Sequence, residues 1–382
     1  MNIIVEKSHF ADELRLFQGI FEKKSLKDIL ENIKVSARED GTLELVATDL
    51  EIGLLSIISV TVIEPGSFTV NGKDFYELIS KMPEGLVEIS ENNDLQIIIT
   101  NEKKTSKYKL LGLQASDYPL LPEGDFESPI NISIKKISSI INKCYYIISP
   151  EMKFSLGGAL MNINDNKFEL AATDSHRLAY LFYDDGFNVT ETLSFIVSRK
   201  TLLELLKICE EGVIQFAFDK NNLFFKYKNR ILSSRIIDQK FPNYKAVIPD
   251  RTEIETIVNK EELLQSLRRI LIFKTRNMAV TFHFADNKLI LERTTPEKGE
   301  AHDELDIDFS ANPIKVSFNG NFIIDFLSHI DSEEIQINII DADSSFIFKP
   351  LSSSKDEKEI ETEDEKEDGD VNFIYVVMPL NI

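Results

Sequence analysis

Residues that can do chemistry are abundant in this chain, but their spacing matches no catalytic or metal-binding motif. Gly66 and Gly72, followed by Lys73, resemble a phosphate-binding loop, yet five residues separate the glycines instead of four. Asp74 also stands where that motif requires a magnesium-binding hydroxyl. The sequence contains no HExxH, GxSxG or CxxC, and its five histidines are scattered. We therefore expect no enzyme activity, no metal and no cofactor.

Cationic side chains form a more informative pattern, because they lie beside the apolar stripes of predicted helices. The side chains of such a surface contact the phosphate backbone of a nucleic acid, and these contacts do not depend on base sequence. Few aromatic residues are interleaved, which disfavours stacking on single-stranded bases. Ordinary solvated side chains are the alternative interpretation. The residues are Lys23, Lys24, Lys27, Lys73, Lys81, Lys136, Lys143, Lys200, Lys207, Arg268 and Arg269.

The net charge of −21 argues against general nucleic-acid binding, because an acidic surface repels phosphates. The charge is uneven: Lys355–Asp370 holds ten acidic and three basic residues, or −7, which leaves −14 on the rest. Any DNA contact must therefore use a local basic surface. The segment 352–370 is low in apolar residues and is predicted to be disordered. It is either a solvated insertion or an acidic mimic that regulates DNA access.

Three segments place Leu, Val, Met and Pro beside turns and a chain end. They are TDSHRLAY (Thr173–Tyr180), FPNYKAVIP (Phe241–Pro249) and YVVMPLNI (Tyr375–Ile382). Methionine suits an adaptable pocket for a partner peptide. The alternative is that these segments are edge strands that pack a core.

One supersecondary pattern occurs three times and organises the rest of the chain. Phe68–Gly85, Phe195–Gly212 and Val316–Ile330 each read as a strand, a turn and an amphipathic helix. Gly212 is predicted to end its helix in the left-handed conformation. A period of about 120 residues has the size of a small domain. The repeat predicts three domains of one fold, with boundaries near residues 127 and 251.

Each third has the same order of further elements. It opens with a strand followed by a helix. In the first third, Ser8 is predicted to cap this helix. Two strands around a Thr-Asp turn follow, as in Leu43–Leu55 and Phe168–Leu181, with a degraded copy at Leu289–Ala301. A hairpin then follows the repeated block. The prediction is an α+β fold with two helices and about eight largely antiparallel strands in each domain.

The chain is predicted to be cytoplasmic. No apolar run reaches the length of about 20 residues that spans a bilayer, and the N-terminus does not resemble a signal peptide. Cys144 and Cys209 lie on apolar helix faces, which favours buried free thiols in a reducing compartment.

The threefold repeat, ATDSHRLAY, KFPNYKAVIP and YVVMP together resemble the bacterial DNA polymerase III β subunit family of sliding clamps. The resemblance covers the chain apart from the acidic insertion. It implies the DNA clamp fold, with similar domains at 1–127, 128–251 and 252–382, and two chains joined head to tail in a ring. It also implies a processivity factor without catalytic activity. Its expected partners are double-stranded DNA, the polymerase III α subunit, the clamp loader and other proteins with clamp-binding motifs.

The resemblance implies three groups of site residues. Lys24 and Lys73 replace arginines of the family, and Pro150, Phe154 and Ser155 depart from its Gln and Tyr-Tyr. In the pocket, Ser175 replaces a glycine. The implied DNA contacts are Lys24, Lys73, Pro150, Lys153, Phe154 and Ser155. The implied peptide pocket is Leu156, Thr173, Ser175, His176, Arg177, Leu178, Pro242, Val247, Ser345, Val376, Val377, Met378, Pro379 and Leu380. The implied dimer interface is Lys104, Lys107 and Tyr108 against Leu271, Ile272, Glu297, Glu300, Asp303 and Glu304.

Two other classes of function are left open by the residues alone. One is a three-domain peptide-binding scaffold that does not encircle DNA. The other is an enzyme that acts on DNA, although the chain lacks a catalytic constellation for it. Retention on circular but not on linear DNA distinguishes a clamp from a scaffold.

Overall fold

The computed structural model describes residues 1–21, 28–92, 94–148, 154–249, 251–272, 278–295, 298–351 and 371–380. Several sequence-based predictions fall outside these ranges. They concern Lys23, Lys24, Lys27, Pro150, Lys153, Glu297 and the acidic segment 352–370. For Phe154 and Ser155 only the backbone is described.

Helices and antiparallel strands alternate along the chain as the repeat predicts. The strand ladders that the structure describes are antiparallel, because neighbouring strands are mostly joined by tight turns. The α+β fold class is therefore confirmed. By compactness the chain divides into one unit of residues 1–135 and 200–236 and another of residues 136–199 and 237–382. The three domains inferred from the repeat stay a prediction.

The first unit is built on a 13-stranded sheet in the order β10-β15-β16-β17-β4-β3-β2-β6-β9-β8-β7-β1-β5. Its helices bury apolar faces that carry Phe10 and Leu14, Phe75 and Ile79, and Leu202. The elements are β1 (Asn2–Glu6), α1 (Lys7–Leu16), β2 (Asn32–Ala37), β3 (Thr42–Thr48), β4 (Ile52–Ser59), β5 (Thr61–Glu64), β6 (Gly66–Asn71), α2 (Gly72–Lys81), β7 (Leu86–Glu91), β8 (Gln96–Asn101), β9 (Lys107–Leu113), β10 (Ile130–Ser133), α4 (Arg199–Ile208), β15 (Val213–Phe218), β16 (Asn222–Tyr227) and β17 (Arg230–Arg235).

The second unit contains an eight-stranded sheet in the order β14-β11-β12-β13-β25-β24-β23-β18 and a four-stranded sheet in the order β21-β20-β19-β22. Phe326 and Tyr375 stack at 4.9 Å between ring centroids in its core. The elements are α3 (Ile134–Asn142), β11 (Gly158–Asn164), β12 (Lys167–Thr173), β13 (Arg177–Asp184), β14 (Leu193–Ser198), β18 (Ile254–Asn259), α5 (Lys260–Ile270), β19 (Ala279–Ala285), β20 (Lys288–Thr295), β21 (Gly299–Asp306), β22 (Ile314–Asn319), α6 (Gly320–Ser328), β23 (Glu334–Ile339), β24 (Phe346–Leu351) and β25 (Asn372–Val377).

Two predicted helix signals are wrong in detail. Ser8 does not cap α1: Glu6 is the N-cap residue, and its carboxylate accepts hydrogen bonds from the backbone N–H groups of Ser8 and His9. Gly212 does not end α4, which stops at Ile208. Gly212 instead has φ +89° and its carbonyl accepts a hydrogen bond from the Ile134 N–H. It therefore forms the turn into β15.

The predicted Thr-Asp turns are confirmed between β3 and β4 and between β12 and β13. Asp49 accepts hydrogen bonds from the backbone N–H groups of residues 51 and 52, and Asp174 from those of residues 176 and 177. The residue after each aspartate, Leu50 or Ser175, has φ +75°. The two turns therefore share one backbone geometry, and the second of them forms part of the pocket described next.

Candidate functional site

A cavity of about 210 Å³ lies in the second unit at one end of the eight-stranded sheet. Strand β13 pairs there with β25, so that Arg177 faces Val377 and Leu178 faces Val376. Beneath it, Leu178 and Val376 belong to a buried apolar cluster that also contains Phe241 and Tyr244. The lining residues are Thr173, Ser175, Arg177, Leu178, Pro242, Asn243, Tyr244, Val247, Val376 and Met378.

The cavity brings together residues that are far apart in the sequence but belong to the three apolar segments singled out above. Eight lining residues are among those that the family resemblance implies for a peptide pocket. Asn243 and Tyr244 were missed, although both lie in the FPNYKAVIP segment. The eight are Thr173, Ser175, Arg177, Leu178, Pro242, Val247, Val376 and Met378.

Other predicted pocket residues lie beside or behind the cavity. The Ser345 hydroxyl donates to the Val247 carbonyl at 3.1 Å, which places it at the rim. Val377 is fully buried in the core, and the His176 ring stacks against Phe322 at 6.4 Å. Leu156 lies in the short 3₁₀ turn that precedes β11.

The end of the chain is held against the body of the second unit by backbone hydrogen bonds. The Met378 N–H donates to the His176 carbonyl at 2.9 Å, and the Leu380 N–H donates to the Ser317 carbonyl at 2.7 Å. Pro379 lies between these two anchors. Met378 is 40% exposed, so the bonds present its side chain at the mouth of the cavity.

The helix cations differ in their availability to a ligand. The prediction for Lys136 is wrong: it is 7% exposed, its ammonium lies 3.4 Å from Asp185, and it packs over the Tyr183 ring. Lys200 and Lys207 bond to Asp49 and Glu204 at 2.6 Å. The Lys73 side chain is 74% exposed, and its ammonium lies 3.9 Å from the Glu77 carboxylate. Lys81 and Arg268 are also exposed, whereas Lys143 is half-buried.

The residues predicted for a dimer interface lie on two strands and one helix end. Lys107 and Tyr108 are exposed on β9, and Lys104 is exposed in the turn before it. Ile272 is 71% exposed after α5, but Leu271 is only 6% exposed because it packs against the start of α6. Leu271 therefore belongs to the core of the second unit.

Strand β21 carries the acidic side of the predicted interface. Glu300 is exposed, and Asp303 accepts a hydrogen bond from Arg269 at 2.9 Å. Glu304 bonds to Lys288, and this ammonium holds the pKa of Glu304 below its ordinary value. Both carboxylates are therefore ionised near neutral pH. Strand β21, which carries them, is the end strand of its sheet.

Three sequence profiles match the chain in order and cover nearly all of it. They describe the N-terminal, central and C-terminal domains of the DNA polymerase III beta subunit, at residues 1–122, 131–243 and 245–363. The chain belongs to the DNA polymerase III beta subunit family. The resemblance that the motifs indicate is thus confirmed.

Curated relatives of this family match along all or nearly all of their length. The chain is 26% identical to a "Beta sliding clamp" of Vibrio cholerae, with 100% of both chains covered. It is 29% identical to one of Staphylococcus aureus, with 92% of this chain and 96% of the relative covered. The chain is therefore similar in extent to known sliding clamps.

Solved structures of beta subunits share the fold. The DNA polymerase III subunit beta of Pseudomonas aeruginosa matches with a TM-score of 0.89 at 22% identity, with 100% of both chains covered. The DNA polymerase sliding clamp of Bacillus subtilis matches with 0.88 at 23%, covering 100% of this chain and 99% of the other. Another structure is a Pseudomonas aeruginosa sliding clamp bound to griselimycin, with a TM-score of 0.88 at 22% identity and 100% of both chains covered.

Over the described ranges, no group of three or more His, Cys, Asp or Glu side chains is arranged to hold a metal ion. Burial raises the pKa of the Cys144 thiol far above its ordinary value and that of Cys209 to about 12. Both thiols stay protonated near neutral pH and are poor nucleophiles. Among the residues that the structure describes, no helix is both long enough and apolar enough to span a membrane.

Proposed function

We propose that the chain is a DNA sliding clamp, a processivity factor whose two copies form a ring around duplex DNA in the bacterial cytoplasm. One observation carries the proposal: three beta-subunit profiles lie in order on one chain whose relatives are sliding clamps. The ring tethers the replicative polymerase and has no catalytic activity of its own. The three domains proposed are 1–127, 128–251 and 252–382.

Internal repetition supports closure of the ring by a second copy. In the first unit, β4 pairs with β17, which is the last strand of the next third of the chain. In the second unit, β13 pairs in the same way with β25. The corresponding strand of the last third is β21, and β9 is the last strand of the first third. We infer that β21 pairs with β9 of the second copy, a head-to-tail contact that closes into a ring.

The ladders also predict the register of this contact. When the β20–β21 ladder is matched to β12–β13, Gly299 takes the position of Arg177. When the β8–β9 ladder is matched to β16–β17, Leu110 takes the position of Ser234. Glu300 then faces Lys109 of the second copy, and His302 faces its Lys107. The Glu300–Lys109 pair places opposite charges across the seam, which favours this register over other pairings.

Sequence-independent DNA binding fits the distribution of charge. The chain carries −21 overall, so a duplex is best held topologically while a few cations touch its backbone. Exposed Lys73, Lys81 and Arg268 support such contacts, and Lys24 and residues 150–155 are proposed to add others. Contacts to phosphates exchange without dependence on base sequence, and the ring therefore slides.

The cavity at Leu178 and Met378 is proposed to bind short apolar segments of partner proteins. Expected partners are the polymerase III α subunit, the clamp loader and other proteins with clamp-binding motifs. Its walls of Leu, Val, Pro and Met gain free energy when apolar side chains are buried there. We propose that griselimycin, which is bound in the Pseudomonas aeruginosa clamp structure, competes for this cavity.

One experiment separates the clamp from the scaffold that only binds peptides. The protein is loaded on nicked circular DNA by a bacterial clamp loader and is then separated from free protein by gel filtration. A clamp stays with the circle and is lost when the DNA is cut once, because only an end lets a ring escape. Equal loss from circular and linear DNA would refute encirclement.

A second experiment tests the pocket. Deletion of residues 378–382 removes Met378 and the anchors that hold the chain end, while β25 and its ladder remain. We expect loss of binding of a labelled hexapeptide with adjacent Leu and Phe side chains, and no change in the dimer on sedimentation. The control peptide carries Asp and Ser in their place. Unchanged affinity for the Leu-Phe peptide after the deletion would place the pocket elsewhere.

A further inference from the structure

Arg177 lies in the cavity wall, yet its guanidinium is occupied by groups behind the wall. Nε donates to Asp174 at 2.9 Å, and Nη1 donates to Asp325 at 2.7 Å and to the Tyr375 hydroxyl at 3.3 Å. Nη2 donates to the Tyr146 carbonyl at 3.5 Å. The Arg177 side chain is 8% exposed. Its charge is therefore balanced by two carboxylates.

Aromatic rings complete the surroundings of this guanidinium. It lies over the Phe322 ring at 4.3 Å and near the Tyr146 ring at 5.6 Å. The Tyr375 hydroxyl donates to the Phe322 carbonyl at 2.8 Å, which ties β25 to α6. Cation–π contacts and charge-assisted hydrogen bonds are strong where water is excluded. The position of Arg177 is thus set by α6 as much as by its own strand.

We propose that Asp325 on α6 is a positioning residue for the peptide cavity: it holds Arg177, and through Arg177 the wall beside Ser175 and Leu178. The proposal rests on the peptide-binding function proposed above. Arg177 then acts as a fixed wall and not as a cation that pairs with the ligand. The peptide affinity of the cavity is coupled to the position of α6.

The first unit contains the same kind of link, which there lines a different cavity. There the carboxylate of the first Thr-Asp turn, Asp49, accepts a hydrogen bond at 2.6 Å from Lys200 near the start of α4. The second turn makes its link in two steps, from Asp174 to Arg177 and from Arg177 to Asp325. An ionic link between a Thr-Asp turn and a helix therefore recurs, and in the second turn it lies at the cavity.

Asp325 offers a cleaner test than Asp174. The Asp174 carboxylate also accepts the backbone N–H groups of residues 176 and 177, so its removal would unfold the turn itself. The hydrogen bond that the described structure gives the Asp325 carboxylate comes from Arg177, and the Asp325 side chain is 38% exposed. An amide at this position is hydrated without loss of another bond.

The test measures the Kd of the full-length protein for the labelled Leu-Phe hexapeptide. Asp325→Asn is expected to weaken binding about tenfold, which is the effect of one charge-assisted hydrogen bond. Asp331→Asn, which removes an exposed carboxylate just after α6, is the matched control and leaves Kd unchanged. A change smaller than twofold for Asp325→Asn would overturn the proposal.

A double-mutant cycle separates positioning from a general loss of stability. If Asp325 acts through Arg177, the combination of Asp325→Asn with Arg177→Lys weakens binding no more than the worse single variant. Additive losses would overturn the proposal. Asp325→Glu, which keeps the carboxylate, should recover most of the affinity. Asp325→Ser, which also removes the carboxylate, replaces Asp325→Asn in the comparison if the asparagine variant does not fold.

Failure of the proposed function is recognised separately. A wild-type protein that binds neither the hexapeptide nor griselimycin refutes the peptide pocket, and the anchoring of Arg177 is then judged without a ligand. Solvent exchange of the Arg177 Nη1–H groups, which donate to Asp325, should be about tenfold faster in Asp325→Asn when followed by nitrogen-15 NMR. Unchanged exchange would overturn the anchoring.

Discussion

Ser175 lies in the cavity wall with φ +75°, a conformation that costs a residue with a Cβ about 1 kcal/mol. The turn persists because the Thr173 hydroxyl accepts the Ser175 N–H at 3.2 Å and donates to the Arg177 carbonyl at 2.7 Å. The hydrogen bonds of the turn thus hold a strained residue in place. A glycine at this position would avoid that strain.

Ser175→Gly is therefore expected to stabilise the protein by about 0.5–1 kcal/mol, because relief of strain outweighs the greater freedom of glycine in the unfolded chain. Urea unfolding followed by circular dichroism measures the change. Leu50→Gly, at the same φ in the first Thr-Asp turn, is the matched comparison and should act in the same direction. A loss of stability in both variants would contradict this account.

Single residues also show where sequence reasoning stops. The helical spacing of Ile137, Ile140 and Ile141 identified the buried face of α3, because burial repeats with the helix period. The same spacing placed Lys136 on a polar face. Its partner Asp185 is 49 residues away, and no local pattern reveals a pairing that tertiary structure creates. The apolar segments of the pocket were visible in the sequence, but their convergence was inferred from the family resemblance.

At the scale of elements, helix interiors were predictable and helix ends were not. Apolar periodicity located α1, α2, α4, α5 and α6, since it reports which face is buried. The ends depend on single hydrogen bonds that several neighbouring residues are able to make. At α1 the Glu6 carboxylate accepts these hydrogen bonds, although Ser8 is only two residues away. At α4 Gly212 does not end the helix but forms the turn into the following strand.

The cap of α1 gives a direct test at this scale. Glu6→Ala should destabilise the protein by about 1 kcal/mol, because the N–H groups of Ser8 and His9 lose their acceptor. Ser8→Ala, inside the helix, should cost less. Thermal unfolding of both variants provides the comparison. An equal or larger effect of Ser8→Ala would restore serine as the cap.

The same cap predicts a dependence on pH. Hydrogen bonds from the His9 and Ser8 backbone N–H groups lower the pKa of Glu6 from its ordinary value of 4.5. A lowered pKa means that the unfolded state binds the proton first as pH falls. The contribution of Glu6 is therefore complete above pH 4.5 and is lost as pH falls through the lower folded value. The stability difference between wild type and Glu6→Ala should shrink accordingly.

At the scale of the whole molecule, repetition distinguishes the joints within a chain from the proposed seam between copies. In each of the first two Thr-Asp turns, an ionic link connects the aspartate to a helix. Asp49 bonds directly to Lys200, whereas Asp174 bonds to Arg177, which in turn bonds to Asp325. In the third turn the strand ladders place Thr295 at the position of the aspartate. Thr295 has no carboxylate with which to make the same link, and we therefore expect a ring to open between copies and not within one.

The register of that seam is testable by charge exchange. Glu300→Lys places like charges opposite each other if Glu300 faces Lys109 of the second copy, and should weaken the dimer about tenfold at low salt. Lys109→Glu should do the same, and the two changes together should restore the dimer, because the pair is then reversed. Sedimentation velocity over a dilution series measures each dimer constant.

Glu211→Lys, at an exposed position just before β15, makes the same change in net charge and measures how much of the change in the dimer constant comes from net charge alone. The recovery in the double variant carries the argument, since each single variant also alters the general attraction between copies. A general charge effect would leave the double variant close to wild type only if each single effect were equal and opposite. Weakening by both single variants followed by recovery requires that the two residues face each other. A double variant weaker than either single one would require a different register for β21 and β9.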